Sequence, residues 1–369
     1  MKTKLLVICL SSIVFIYTSI SLYKIITTTA PDFSVFYYAT QDILRLHNPY
    51  TDKSLFTVFN YPVITSIVFS PFALIPYQFA QGVFILLSWL SLLLIIYVSL
   101  KLVNKLTRQI FLFCSSLALL SFPVKFTFGM GQSNLIAYAL LLSGFYFYQQ
   151  KKILFTVLLL TLAIIFKPVF CFLLLFFLLQ KSWKVFFITS ITLVFCNFIT
   201  LLLDYNDTLF YIISVVPHLF TTTGREVYYN QGILGFISRL TGSLLLRGRI
   251  TMVSNLGIVS YLTVKRRADL NLLFSLFLIT LVLVDSLSWQ HHFVFLIFPF
   301  IVVGEEILKQ KNKVAISLLI FAYVLVNANI KHPQTFNYFP VNILLSHVFY
   351  GAILLFGILV LKIFEKKEN

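Results

Sequence analysis

The feature that most constrains this chain is a succession of twelve apolar runs, with Lys and Arg gathered at alternate boundaries between them. They lie at 5–26, 77–100, 109–124, 135–148, 153–166, 168–179, 185–203, 250–264, 270–284, 293–303, 314–330 and 341–361. A hydrocarbon core of ~30 Å takes about 20 apolar residues of helix, and in lipid the backbone must satisfy itself within each helix. Hydrophobic residues make up 59% of the 369 and charged residues 11%, with a mean hydropathy of +0.95. A soluble fold of that composition would expose large apolar patches. The predicted class is therefore an all-α polytopic membrane protein, a bundle of about 12 transmembrane helices forming one integral-membrane domain over residues 1–369.

Orientation follows from the basic residues, which collect on cytoplasmic loops. With both termini in the cytoplasm, the inner side holds Lys2, Lys4 and the clusters at 101–108, 151–152, 181–184, 265–267, 309–313 and 362–367, which is 18 of the 28 basic residues. The net charge of +16 is thus a topology signal and not a nucleic-acid footprint. The expected location is the bacterial inner (cytoplasmic) membrane. The run at 5–26 exceeds the roughly 7–15 residues of a signal-peptide core and no small-residue cleavage site follows, so it reads as an uncleaved first span. Cys9, Cys114, Cys171 and Cys196 sit inside apolar runs without metal-ligand spacing and read as packing residues.

A further apolar stretch, 63–75, cannot span without inverting every later loop, and its 13 residues suit a re-entrant or interfacial helix. Two outer loops remain, about 27–60 and about 204–249. Within them, 34–46 and 233–246 show amphipathic patterns expected of short helices lying on the membrane surface.

Sorted by this topology, the polar residues gather on the outer side: Asp32, His47, Tyr61, Gln132, Asn134, Lys167, Arg225, Tyr228, Tyr229, Asn230, Gln231, Asp285, Trp289, His291 and His292. Seven of the 12 acids fall there, so a general base comes from Asp32, Asp42, Asp52, Asp204, Asp207, Glu226 or Asp285, or from an outer histidine. Asp32 reads either as the N-cap of the 34–46 helix or as that base. Asp285, in an apolar run, reads as a structural partner of Lys167 or a histidine, or as a catalytic group. Trp289 fits an aromatic belt, and His291 and His292 fit interfacial polar positions or a ligand site. Gly129, Gly131, Gln132 and Asn134 fit a turn and helix start. Lys167 stands out physically: it tops a hairpin whose arms, 153–166 and 168–179, hold 14 and 12 residues, and the second arm reaches only about 18 Å at 1.5 Å per residue. A lysine below the outer surface needs a hydrated cavity or an anion.

The residues in order carry a resemblance. Asp32 to Ala39 (Asp-Phe-Ser-Val-Phe-Tyr-Tyr-Ala), Asn48-Pro49-Tyr50, Tyr61-Pro62, Pro71, Gly131-Gln132 with Asn134, Lys167-Pro168, Asn230-Gln231 and Ser288-Trp289 with His291 and His292 together resemble glycosyltransferase family 87 over about residues 30–300. The pattern departs at Val63, where a second proline often follows Tyr-Pro, and at Gly232, where serine often follows Asn-Gln. The resemblance implies a GT-C-type bundle and a mannosyltransferase that moves mannose, with inversion, from a polyprenyl-phosphate donor to an acceptor hydroxyl. It implies Asp32 as base, Lys167 as the matching lysine, and Trp289 with His291 or His292 as the outer-cavity aromatic and histidine.

On that reading Lys167, Arg225, His291, His292, Trp289, Gln132 and Asn134 bind the donor's phosphate and sugar, while Tyr61, Asn230, Gln231 and Asp285 support them. No carboxylate cluster or Gly-rich phosphate loop lies outside, so the expectation is no cofactor, no metal and no nucleotide-sugar donor. The partners expected are a polyprenyl-phosphate-sugar donor, a glycolipid or glycan acceptor and the bilayer, and no nucleic acid. Other readings of a many-span chain are a transporter or lipid flippase, or a polysaccharide polymerase or ligase using lipid-linked donors.

Overall fold

The computed structural model describes residues 2–51, 56–221, 228–241, 245–265, 269–336 and 338–365. Among them every regular element is helical, with one isolated antiparallel bridge between Asn230 and Trp289. Each of the twelve apolar runs is helical over most of its length, with a break at Ser121 inside 109–124 and a helix end at Asn327 inside 314–330, and the helices Ile153–Phe166 and Leu270–Val284 share their runs' limits. Charged residues flank both, Lys152 and Lys167 the first and Asp269 and Asp285 the second, so apolar length and its charged ends fix these boundaries.

The expected count of crossings is not what helix length returns. Five described helices are long and apolar enough to span: Ile8–Ile26, Tyr77–Leu102, Trp183–Leu203, Gln290–Gln310 and Val341–Glu365. A sixth results if Arg108–Leu120 and Phe122–Met130 count as one, but they bend by 65° at Ser121. Ser121 ends the first helix in extended geometry and caps the second through Oγ, and Pro123 cannot donate to a continuing helix. The remaining apolar helices have 10–17 residues, Val63–Ala73 among them. With 11 residues, Val63–Ala73 reaches about 16 Å, half a hydrocarbon core.

Leu270–Val284 forms the centre of the bundle. Its residues from Leu272 to Leu283 are buried on every side, the expected fate of a helix apolar all round. It packs against Leu245–Lys265, Ile297–Gln310 and His347–Glu365. Phe274 stacks on Phe145 at 3.9 Å between ring centroids, with Phe176 edge-on to both. Lipid tails are as apolar as these side chains, so close packing and not solvent exclusion holds such helices together.

A second cluster builds the outer end. The helix Pro31–Leu44 does not simply lie on the surface as its amphipathic pattern predicts: Phe33, Phe36 and Tyr37 are buried, and Phe33 meets Phe69, Tyr77 and Phe84 at centroid distances of 5.1–6.0 Å. Each such aromatic pair contributes about 0.5–1.5 kcal/mol, and together they fix this helix on Val63–Ala73 and Tyr77–Leu102. Gln81 locks the approach to it, accepting from Ala30 N (2.9 Å) and donating to the carbonyls of Ile25, Ile26 and Thr28. The other predicted surface helix, 233–246, also differs. Its described part, Ile233–Thr241, buries Ile233, Leu234 and Arg239 and stacks Phe236 on Phe349 at 4.6 Å; residues 242–244 lie outside the described ones.

Candidate active site

Asp32 occupies the first turn of Pro31–Leu44, but it is not the cap: Ala30 holds that position and makes no side-chain cap bond. The cap reading is thereby corrected, because Pro31 takes the first helical position and places Asp32 inside the helix as its second residue. The Asp32 carboxylate accepts a 2.6 Å hydrogen bond from Gln132 Nε2 through Oδ2. Burial pushes this carboxyl above the ordinary value, against the opposing pull of the Gln132 bond and the Lys167 charge.

Gln132 reaches Asp32 because of a glycine. Gly131 ends the helix Phe122–Met130 in left-handed conformation (φ 68°), and a Cβ there would stand 2.7 Å from Phe33 Cβ and 2.9 Å from Ala30 Cβ. Only a residue without a side chain lets the two backbones approach so closely. The next two residues tie the same strip elsewhere. Ser133 Oγ donates to Phe166 O at 3.2 Å, directly before Lys167, and Asn134 Nδ2 donates to His291 O at 3.0 Å. Three consecutive side chains therefore hold three distant segments together.

Lys167 closes the helix Ile153–Phe166 with non-helical backbone angles (φ −143°, ψ 89°) and precedes Pro168, which starts a 3-10 turn over Pro168–Leu173. It is only 6% exposed, its Nζ donating to Tyr61 Oη at 3.3 Å. The Tyr61 ring lies under the same ammonium, 5.9 Å from its centroid, and Tyr50 Oη donates to Tyr61 O to fix the segment. Asp32 and Asp285 are both within electrostatic reach of Lys167. Asp285 ends Leu270–Val284 and brings Oδ2 to 3.3 Å from His292 Nδ1, while its Oδ1 accepts from Leu287 N. His291 and His292 open a 3-10 helix over Gln290–Leu296, and both are buried, with their rings 4.7 Å apart. Phe126 packs edge-on against His291.

The structure thus brings Asp32, Tyr61, Gln132, Asn134, Lys167, Asp285, His291 and His292 into one connected group. Trp289, Asn230 and Gln231 stand beside it, tied to backbone through the Asn230 amide, the Gln231 Nε2 and the main chain of Trp289, while Gln231 Oε1 is buried without a partner. Asn230 bridges Trp289, Gln231 N donates to Ser288 O at 2.7 Å, and Gln231 Nε2 donates to Leu345 O at 2.9 Å. Arg225 lies outside the described residues. Two residues in these networks carry no signal in the sequence pattern. Ser133 reads as an ordinary helix-start serine. Arg239 reads as the polar face of a surface helix, yet it is buried and donates through Nε to Ser346 and through Nη1 to Asn230 O.

An all-helical membrane bundle whose carboxylates, lysine and histidines converge at one end defines a polytopic membrane enzyme. The sequence pattern of glycosyltransferase family 87 matches residues 59–299, about two thirds of the chain. The chain belongs to that family, and it is a membrane glycosyltransferase. No match was found among the curated proteins or among the solved structures. Asp32 precedes the matched span and is joined to it through Gln132.

Proposed function

We propose that this enzyme moves a sugar, mannose by family analogy, from a polyprenyl-phosphate donor to an acceptor hydroxyl on the outer face of the bacterial cytoplasmic membrane, with inversion. Asp32 is the general base. Gln132 occupies Oδ2, which leaves the other carboxylate oxygen to take the acceptor proton as attack begins. A bond forms between that acceptor oxygen and the anomeric carbon, the bond from that carbon to the phosphate oxygen breaks, and its electron pair leaves with polyprenyl phosphate. Lys167 meets the developing phosphate charge in a site largely removed from water, where such an interaction is strongest. Asp285 and His292 position Lys167 and the phosphate side, and His291 and Trp289 face the sugar and acceptor. The chain works as one integral-membrane unit with both termini cytoplasmic, crossing about twelve times, and needs no cofactor.

The observation that carries this reading is the joining of Asp32 to the Lys167 apex through Gln132 and Ser133. Purified protein in detergent, given polyprenyl-phosphate mannose and a glycolipid acceptor, is expected to release polyprenyl phosphate and form a product of inverted anomeric configuration. A flippase releases none, and a lipid-linked oligosaccharide as the sole active donor would reassign the enzyme as a polymerase or ligase.

A further inference from the structure

Two buried amides in this site are half-satisfied in the same sense. Gln132 is 9% exposed and Asn134 fully buried. The orientation of each is set by its partner, since a carboxylate and a carbonyl both demand the NH2 end: Gln132 gives it to Asp32 and Asn134 to His291 O. Their carbonyl oxygens, Gln132 Oε1 and Asn134 Oδ1, are buried without a hydrogen-bond partner. A buried acceptor left unpaired costs about 1–3 kcal/mol, so two of them two residues apart, beside the proposed base, call for donors that arrive with a ligand.

Phosphate cannot supply them. An ionised phosphodiester offers only acceptors, and two amide carbonyls repel it; a hydroxyl offers the proton both oxygens lack. The strip is also in the right place for a sugar ring. It is bonded at Gln132 to Asp32, at Ser133 to the residue before Lys167 and at Asn134 to His291. An anomeric carbon lying between the base and a phosphate at Lys167 carries its ring against this strip. The geometry points to Gln132 Oε1 and Asn134 Oδ1 as the reading head for hydroxyls of the donor sugar, accepting from them, with phosphate left to the Lys167 and Tyr61 end. Gln132 then links sugar occupancy to the aim of Asp32, because one amide serves both. This rests on the donor reading above.

The test measures binding to the full-length protein in detergent of polyprenyl phosphate, polyprenyl-phosphate mannose, and the monodeoxy and deoxyfluoro analogues of that mannosyl lipid. Expected is tighter binding of the mannosyl lipid than of bare polyprenyl phosphate, and a loss of about three- to tenfold on removing at least one hydroxyl, the range of one uncharged hydrogen bond. Fluorine at the same carbon, which accepts but does not donate, should not restore it. In Asn134→Ala that hydroxyl should cease to matter while affinity for polyprenyl phosphate holds; should that variant misfold, the fluoro series on the unaltered protein decides alone. The inference is overturned if every deoxyfluoro lipid binds as well as the parent, or if folded Asn134→Ala still discriminates the hydroxyl in full. Failure of the unaltered protein to bind polyprenyl phosphate at all removes the donor reading itself, and this inference with it.

Discussion

Replacing Asp32 with Asn separates its structural contribution from its chemistry. Asp32 makes no cap bond, so the folding cost is that of one negative charge in the first helical turn, about 0.3–1 kcal/mol. The Gln132 bond survives in form, because an Asn carbonyl can accept from Nε2 where the carboxylate now does at 2.6 Å, with the loss of charge assistance. Lys167 loses one of two nearby carboxylates and keeps Asp285. The chemical cost is larger: removing a general base lowers turnover by about 10²-fold or more, at least ~2.7 kcal/mol of barrier. The variant should stay monodisperse in detergent, bind the donor and release polyprenyl phosphate at one hundredth of the normal rate or less. The pH profile adds a second readout. Burial raises the Asp32 carboxyl above its ordinary value of 3.8, and only the ionised form is a base. Turnover should therefore fall on the acid side at a higher pH than an exposed carboxylate gives, and the residual rate of Asp32→Asn should lack that limb. Stability runs the opposite way, since a raised folded value favours the protonated fold at low pH and that contribution is lost as pH rises through the folded value. Near-normal turnover of Asp32→Asn, with Asp285→Asn well folded and inactive, would exchange the two assignments.

Three other outcomes are expected. Lys167→Met should weaken polyprenyl phosphate binding by tenfold or more, the worth of a charge-assisted hydrogen bond, while the protein remains folded in detergent; normal donor kinetics in that variant removes Lys167 from the site. Gly131→Ala places a Cβ 2.7 Å from Phe33 Cβ at φ 68°, so it should destabilise by about 1–3 kcal/mol and lower turnover by moving Gln132 off Asp32, and unchanged turnover would show that this contact does not aim the base. Cysteines replacing Lys101, Lys151, Lys181, Lys265 or Lys309 should be labelled only from the cytoplasmic side and those replacing Lys53 or Lys331 only from outside; the reverse for Lys151→Cys and Lys331→Cys inverts the topology.

The sequence by itself determined where the helices are. Apolar length and its charged punctuation act locally, residue by residue, so 153–166 and 270–284 were legible to their ends, as was the place of Lys167 at a helix end beside Pro168. The family pattern likewise runs along the chain. Only the tertiary structure decided which polar groups meet. Asp32 and Gln132 are 100 residues apart, and their contact depends on Gly131 admitting the backbone of Ala30 and Phe33, a close approach that no periodicity encodes. The same holds for the break at Ser121, for Ser133 against Phe166 O, and for Arg239, whose helix pattern predicts a surface face until Ser346 and Asn230 are placed around it. Asn230 and Gln231, read from the sequence as supporting residues, donate their amide N–H groups to the carbonyls of Ser286 and Leu345, partners that no periodicity names. In a membrane bundle the hydrophobic pattern says that a helix faces lipid or protein but not which helix it meets, and that choice is made by the small residues and side-chain hydrogen bonds at the crossings.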